Sequence, residues 1–332
     1  MGDFKLAVIG AGIFAEANIY PSLSTHFFDD VDRVALCDLD EKRARRLAKH
    51  YGWPSVYSDF SVMIQREKPD AVIVCTGART HPDIVVRVLG MGLPVFMEKP
   101  ASIDLKGTQR ILDASIKYGR IVQVGHQKRH GLAYEKARQI VSGREEFGSI
   151  LQIESKMLGF TVFPTMYTCM LEWQCHNLDL VISFGGEIRE IEAKSHMLSD
   201  RTGALVAMLR FESGALATLN WGTFGGPGQF AERLEIISDR GKGVIVSNAR
   251  EVTCYAEDTG STWAPDWNPI SRNQSHVFNG YVGELRHFID CVKGGRRPVP
   301  SIEDEAKTMG WLAEIALKAG IPIEWGPVSS AL

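Results

Sequence analysis

Short apolar runs and amphipathic stretches alternate along the first 125 residues. The runs are KLAVIG (5–10), RVALCD (33–38), AVIVCT (71–76), PVFMEK (94–99) and IVQVGH (121–126). They are continuous rather than alternating and rich in Val and Ile, as suits strands of a parallel sheet covered on both faces. Between them, EKRARRLAKHYG (41–52) and DIVVRVLGMG (83–92) carry helical spacing and end on glycine, a common helix terminator. Strand and helix in alternation, joined by short connections, predict a doubly wound parallel α/β sheet over residues 1–125.

Beyond residue 126 the rhythm changes. LAYEKARQIVSG (132–143) has helical spacing, SILQIESKML (149–158) alternates with period two, and LEWQCHNLDLVISFGG (171–186) is helical up to a double-glycine stop. From 188 to about 255 strands follow strands, with hairpin signals at ESGA (212–215) and DRGK (239–242). The stretch 257–277, rich in Pro, Asn, Ser and Trp, has no period and reads as one long loop. Two amphipathic helices, 283–295 and 303–320, close the chain, and Glu303, Asp304 and Glu305 suit the positive end of the second. Residues 126–332 are therefore expected to form an α+β domain with a largely antiparallel open sheet.

Composition narrows the function classes. Of 332 residues 45% are apolar and 23% charged, with net charge −3, so no broad positive field points to nucleic acid or an anionic membrane. No apolar run reaches the length that a membrane helix needs, about 18 residues. MGDFKLAVIG passes directly into a strand with no signal-peptide pattern, and a cytoplasmic protein is expected. The six cysteines form no CxxC pair and read as reduced thiols. Cys169, Cys175 and His176 lie close in sequence but lack a fourth ligand at the usual spacing, so no metal is expected.

The chemistry begins right after the first strand. Gly10-Ala11-Gly12-Ile13-Phe14-Ala15 has the G-x-G-x-x-G/A spacing, in which the glycines permit a tight turn and close approach to a pyrophosphate. The phosphates of a dinucleotide would sit at the positive end of the following helix. Asp38, ending the second strand, would accept hydrogen bonds from an adenosine ribose and repel a 2′-phosphate. NAD is thus favoured over NADP, with Lys42 and Arg43 keeping the second choice open. Thr76 and Gly77, and then Glu98 and Lys99, follow later strands of the same sheet and are expected along its cofactor edge. Pro100 favours an extended Lys99.

These residues resemble the Gfo/Idh/MocA oxidoreductases, named for glucose-fructose oxidoreductase and inositol dehydrogenase. The similarity rests on G-A-G-I-F-A, on E-K-P at 98–100, on V-G-H-Q-K-R at 124–129 and on the stretch 283–320. The resemblance implies a Rossmann domain, a second domain for substrate binding and oligomerisation, and a homo-oligomer, dimer or tetramer. It implies hydride transfer between a nicotinamide and a secondary alcohol of a sugar, sugar derivative or cyclitol. Carried onto this chain, it implies catalytic roles for Lys99, His176 and Glu172, the family usually having Asp at the last. Glu172 and His176, four apart on one helix, would share a face. A carboxylate beside a histidine can orient it for proton transfer, and a lysine can stabilise an alkoxide.

Gln127 is implied near the nicotinamide; His126 and His130 flank it and could reach a polyol or serve the fold instead, and His81 is read as a positioning residue at the cofactor edge. Asp179 is expected to orient a neighbour. Tyr167, Trp173, Trp263 and Trp267 are candidates to stack on a sugar ring, with core packing as the alternative. The chain departs from the family at Thr76-Gly77-Ala78, at MYTCM (166–170) and at Gln174, changes that reshape the pocket. Two other functions fit the same residues: redox-neutral, NAD-dependent glycoside cleavage, and non-catalytic dinucleotide sensing.

Overall fold

The computed structural model describes residues 4–27, 29–160, 163–225, 231–256, 258–265 and 274–325. In β1 (Lys5–Ile9), Leu6 and Val8 enter one apolar cluster while Ala7 and Ile9 enter another, so alternate residues feed two cores. The same double burial holds for β4 (Ala71–Val74), β5 (Val95–Glu98) and β6 (Val122–Gly125), in which every residue is buried. With β2 (Asp32–Cys37) and β3 (Ser55–Tyr57) they form a six-stranded sheet, order β3-β2-β1-β4-β5-β6, with every pairing parallel.

Helices close both faces, and their ends follow from local chemistry. Asp40, Asp59 and Asp104 each accept a backbone N–H at the start of Glu41–Tyr51, Phe60–Glu67 and Leu105–Tyr118. Leu47 and Ala44 pack on the Leu6 side of the sheet, while Met63, Val85, Val88 and Ile111 pack on the Ala7 side. The Leu6 side also receives Leu285, Phe288 and Ile289 from the helix Tyr281–Gly294.

That helix changes the division of the chain. One compact unit comprises Met1–Gln127 with Ile270–Ala306, and the other Lys128–Pro269 with Lys307–Leu332. Residues 270–306 group with the parallel sheet. The reason is burial: the apolar stripe of Tyr281–Gly294 shares a core with β1 and β4.

The second unit is built on an eight-stranded sheet of β7 (Ile150–Phe160), β8 (Ile188–Met197), β9 (Gly203–Phe211), β10 (Leu216–Gly225), β11 (Ala231–Ser238), β12 (Lys242–Ser247), β13 (Glu251–Ala256) and β14 (Thr259–Trp263). Its order is β14-β13-β12-β11-β7-β10-β9-β8, antiparallel except between β7 and β10. One face packs on the helices through Tyr134, Leu178, Val181, Met309 and Leu312. The opposite face of β9 leaves Val206 and Met208 exposed. Within the expected loop 257–277, residues 259–263 add a strand to the sheet edge and a helix, Gln274–Phe278, begins.

Candidate active site

The glycine-rich turn is determined by close contacts. Gly10 has φ +111°, and a Cβ there would come within 2.0 Å of the Cys75 carbonyl oxygen, so no other residue fits. Its amide donates to the Cys37 carbonyl at 2.8 Å and its carbonyl accepts from Tyr20 Oη at 2.7 Å. The helix starts at Ile13 and contains a π-turn, Ala15–Ile19, before Tyr20–His26. Its first ladder bond, Glu16 N–H to Gly12 O at 2.9 Å, leaves the amides before it outside the ladder.

This arrangement fits a dinucleotide. A Cβ at Gly12 would meet nothing within 4 Å, and Ile13 and Phe14 are exposed. Asp38 lies where a ribose-binding carboxylate is needed, and it also holds the turn: its Oδ2 accepts Ala11 N–H at 2.7 Å. Oδ1 accepts Asp40 N–H at 2.8 Å and Arg43 Nη2 at 3.0 Å. Oδ2 thus retains a lone pair for a hydroxyl donor. Phe14 meets Tyr281 edge to face, with ring centroids 6.0 Å apart.

Two independent contacts fasten the turn that carries Lys99. Strand β5 stops at Glu98, and the Lys99–Pro100 bond is cis. His81 Nδ1 lies 3.0 Å from the Pro100 carbonyl, and Ala101 N–H donates to Glu305 Oε1 at 3.1 Å. His81 is fully buried, and burial lowers its pKa to about 4 against the opposing pull of the Pro100 and Thr76 carbonyls. The ring is therefore neutral at pH 7 and serves as a support for the turn. Beside it, Thr80 Oγ1 donates to the Gly77 carbonyl at 2.8 Å and lies 2.9 Å from Thr76 Oγ1, from which it can accept.

Buried acids stand behind this edge. Glu98 is 6% exposed, and both its oxygens lie 3.1 Å from where a Cβ on Gly125 would be, a tight fit against β6. Glu284 is 1% exposed, with no hydrogen-bond partner for either oxygen among the described residues. Its pKa is raised well above the carboxylate range, first by burial and then by the negative charge of Glu98. The Cys75 thiol and the Tyr281 phenol are pushed up too, in each case chiefly by burial. His126, buried at the end of β6, makes a 2.7 Å contact through Nε2 with Oε2 of Glu305. Gln127 begins a short 3₁₀ turn, Gln127–His130.

In the second unit, a π-turn Met170–Gln174 carries Glu172 and runs into the helix Cys175–Gly185, which carries His176. The expectation of one continuous α-helix thus changes at its first turn. The wider turn shifts the phase between the two residues, and such bulges recur at functional sites. Glu172 is half-buried and His176 is 7% exposed. Asn177 anchors the helix, its amide donating to Ser155 Oγ at 2.5 Å and its carbonyl accepting Trp221 Nε1 at 2.7 Å. Asp179 takes a two-bond clamp from Arg129, at 2.7 and 2.6 Å. The aromatic candidates divide: Tyr167 sits in the apolar core, while Trp173 and Trp263 pack partly buried against it. Trp267 lies outside the described residues.

The buried acids Glu284 and Glu232 are absent from the sequence expectations, and Glu305 is expected only as an acid at the positive end of a helix, not in a buried role. Glu232 accepts from Lys128 Nζ at 2.5 Å and from the Tyr134 hydroxyl. The missed signal was helical phase. Glu305 shares a face with Thr308, Met309 and Leu312, and Glu284 with Phe288 and Cys291, all buried. An acid on a core stripe is a candidate for a buried role.

Comparison with known proteins identifies the class. The profile of an oxidoreductase family with an NAD-binding Rossmann fold, GFO_IDH_MocA, matches residues 4–126. Inositol 2-dehydrogenase from Pseudomonas fluorescens is 30% identical over 96% of this chain and 94% of its own length. Myo-inositol 2-dehydrogenase from Thermotoga maritima is 25% identical over 95% and 96%, respectively. The crystal structure of a dehydrogenase from Chromobacterium violaceum superposes with TM-score 0.87 at 22% identity, covering 97% of this chain and 96% of that one. The chain belongs to the Gfo/Idh/MocA family and is an NAD-binding oxidoreductase. No described helix is long and apolar enough to cross a membrane.

Proposed function

We propose that this protein oxidises a secondary alcohol of a cyclitol, sugar or sugar derivative with NAD⁺. The observation that carries the reading is the Lys99 turn, held from both sides at the carboxyl end of β5 in an NAD-binding Rossmann unit. Ligands of such sheets bind beyond the carboxyl ends of the strands. The relatives named for inositol oxidation support a polyol substrate.

NAD⁺ would be held by Gly10, Gly12, Ile13, Phe14 and Asp38, with Thr76, Gly77, Glu98 and Gln127 lining the nicotinamide half, and it supplies the hydride acceptor. His176 takes the hydroxyl proton, and Glu172 orients the ring and stabilises its imidazolium form. The Lys99 ammonium stabilises the negative charge that develops on the carbinol oxygen. His126, Gln127 and Tyr167 contact or shape the substrate. His81 contributes through the Pro100 carbonyl. The second unit supplies substrate contacts, and the exposed Val206 and Met208 support a homo-oligomer formed through the outer sheet face. Six free thiols support a reducing, cytoplasmic setting.

The test is NADH absorbance with inositols, sugars and glycosides, using wild type, Lys99→Ala and His176→Ala. The expected result is NADH formation with a polyol, lost in both variants while NAD⁺ binding persists. Unchanged turnover in both overturns the residue roles. Glycoside cleavage without net NADH would replace dehydrogenation by redox-neutral chemistry.

A further inference from the structure

One carboxylate in the Rossmann unit ties together two candidate site segments that are distant in sequence. Glu305 is fully buried, and its two oxygens have different duties: Oε1 accepts Ala101 N–H at 3.1 Å, and Oε2 lies 2.7 Å from His126 Nε2. We propose that Glu305 is a positioning residue that holds His126 as its Nε2–H tautomer and pins the backbone two residues beyond Lys99. The proposal rests on the reading of Lys99 and His126 as site residues.

A contact of this length between an imidazole nitrogen and a carboxylate oxygen requires a proton between them, and the carboxylate is acceptor-only. The proton therefore belongs to Nε2. A neutral imidazole has one N–H, so Nδ1 carries the lone pair and becomes the proton-accepting atom of His126. The same carboxylate restrains Ala101 while His81 restrains the Pro100 carbonyl from another element. Lys99 is thus followed by a backbone fixed at consecutive residues, the support that a preorganised charge requires.

Glutamine at 305 cannot reproduce this arrangement. It offers one acceptor oxygen and an NH₂ donor, whereas Ala101 N–H and His126 Nε2–H both need an acceptor. Either the amide donates to His126 and turns it to the Nδ1–H tautomer, or the Ala101 bond is lost.

The experiment compares full-length wild type, Glu305→Gln and Glu305→Asp. Selective ¹⁵N-histidine labelling reads the His126 tautomer, Ala101 amide exchange reads the backbone, and NADH formation with an inositol gives kcat. Wild type is expected as the Nε2–H tautomer. Glu305→Gln is expected to switch the tautomer or expose the Ala101 amide, with NAD⁺ affinity within about twofold and kcat lower by about 100-fold, the scale of a slight misplacement. Glu305→Asp, which keeps an acceptor-only carboxylate, is expected to retain the tautomer and recover part of kcat. The same tautomer and amide exchange in Glu305→Gln as in wild type overturns the proposal, as does a changed pair with unaltered kcat. If wild type oxidises no polyol, the functional reading fails while the two spectroscopic readouts still decide the role of Glu305.

Discussion

The helices Tyr281–Gly294 and Ile302–Lys318 each bring a glutamate into the Rossmann unit, and the two acids meet opposite fates. Glu305 has a partner for each oxygen, whereas Glu284 has none among the described residues. Both sit on the buried stripe of an amphipathic helix and both are essentially inaccessible. The difference lies in what faces them. A main-chain amide and an imidazole face Glu305, so each of its oxygens has a partner there. At Glu284 ionisation would cost desolvation first and repulsion from Glu98 second, so its pKa is raised well above the carboxylate range. Burial alone does not set a residue's charge; the donors around it do.

The contrast can be broken most sharply at Glu305. Glu305→Ala leaves a buried imidazole and a buried amide without their acceptor, and a loss of about 3–5 kcal/mol in urea unfolding is expected. A loss below 1 kcal/mol would mean that the two bonds contribute little. His81 sharpens the comparison as a buried imidazole whose Nδ1 faces a main-chain carbonyl, that of Pro100, rather than a carboxylate. Its folded pKa, about 4, lies below the unfolded value, so its contribution is present above about pH 6.5 and is lost as pH falls through about 4. The wild-type protein is therefore expected to lose about 3 kcal/mol over that window on account of His81. His81→Asn, which can still donate to the Pro100 carbonyl, should flatten this acid limb in thermal unfolding.

Glu284 has the opposite sign. Its folded pKa lies above the unfolded value, so its contribution is intact at acid pH and is lost as pH rises from about 4.3 toward the folded value. Glu284→Gln is expected to gain on wild type by up to about 1.4 kcal/mol per pH unit within that window. Parallel Tm-versus-pH curves for the two proteins would falsify a raised pKa at Glu284. The smallest effect is expected at Arg43, a partly exposed partner of Asp38. Arg43→Ala should cost no more than about 1 kcal/mol of stability. A fall in residual NADP⁺ affinity on isothermal titration, with NAD⁺ nearly unaffected, would identify Arg43 as what tolerance of a 2′-phosphate the site has.

The two units also differ in how much of each was legible beforehand. In the first unit, continuous Val/Ile strands and Asp-started helices specify their own conformations locally. Their order was readable except for β3, whose three half-buried residues make too short a signal. The turn Gly10–Ala15 was equally readable, because a backbone that approaches Cys75 this closely excludes a side chain. In the second unit, the alternation of β7 and the hairpins between β9 and β10 and between β11 and β12 were visible. The parallel pairing of β7 with β10 was not, because it joins segments some sixty residues apart and no local residue specifies it. The π-turn at Met170–Gln174 was also hidden, since its residues have ordinary helical spacing.

By itself, the sequence determined what depends on neighbours along the chain: the glycine-rich strand–turn–helix, the acid closing β2, the Lys99-Pro100 turn and the helical segment bearing Glu172 and His176. Only the tertiary structure decided what those residues are held by. The return of 270–306 to the Rossmann unit, the clamp of Arg129 on Asp179, and the unequal settings of Glu305 and Glu284 all join residues remote in sequence. A side chain's proton and orientation are fixed by the groups that surround it after packing, and that surrounding is written in no single stretch of the chain.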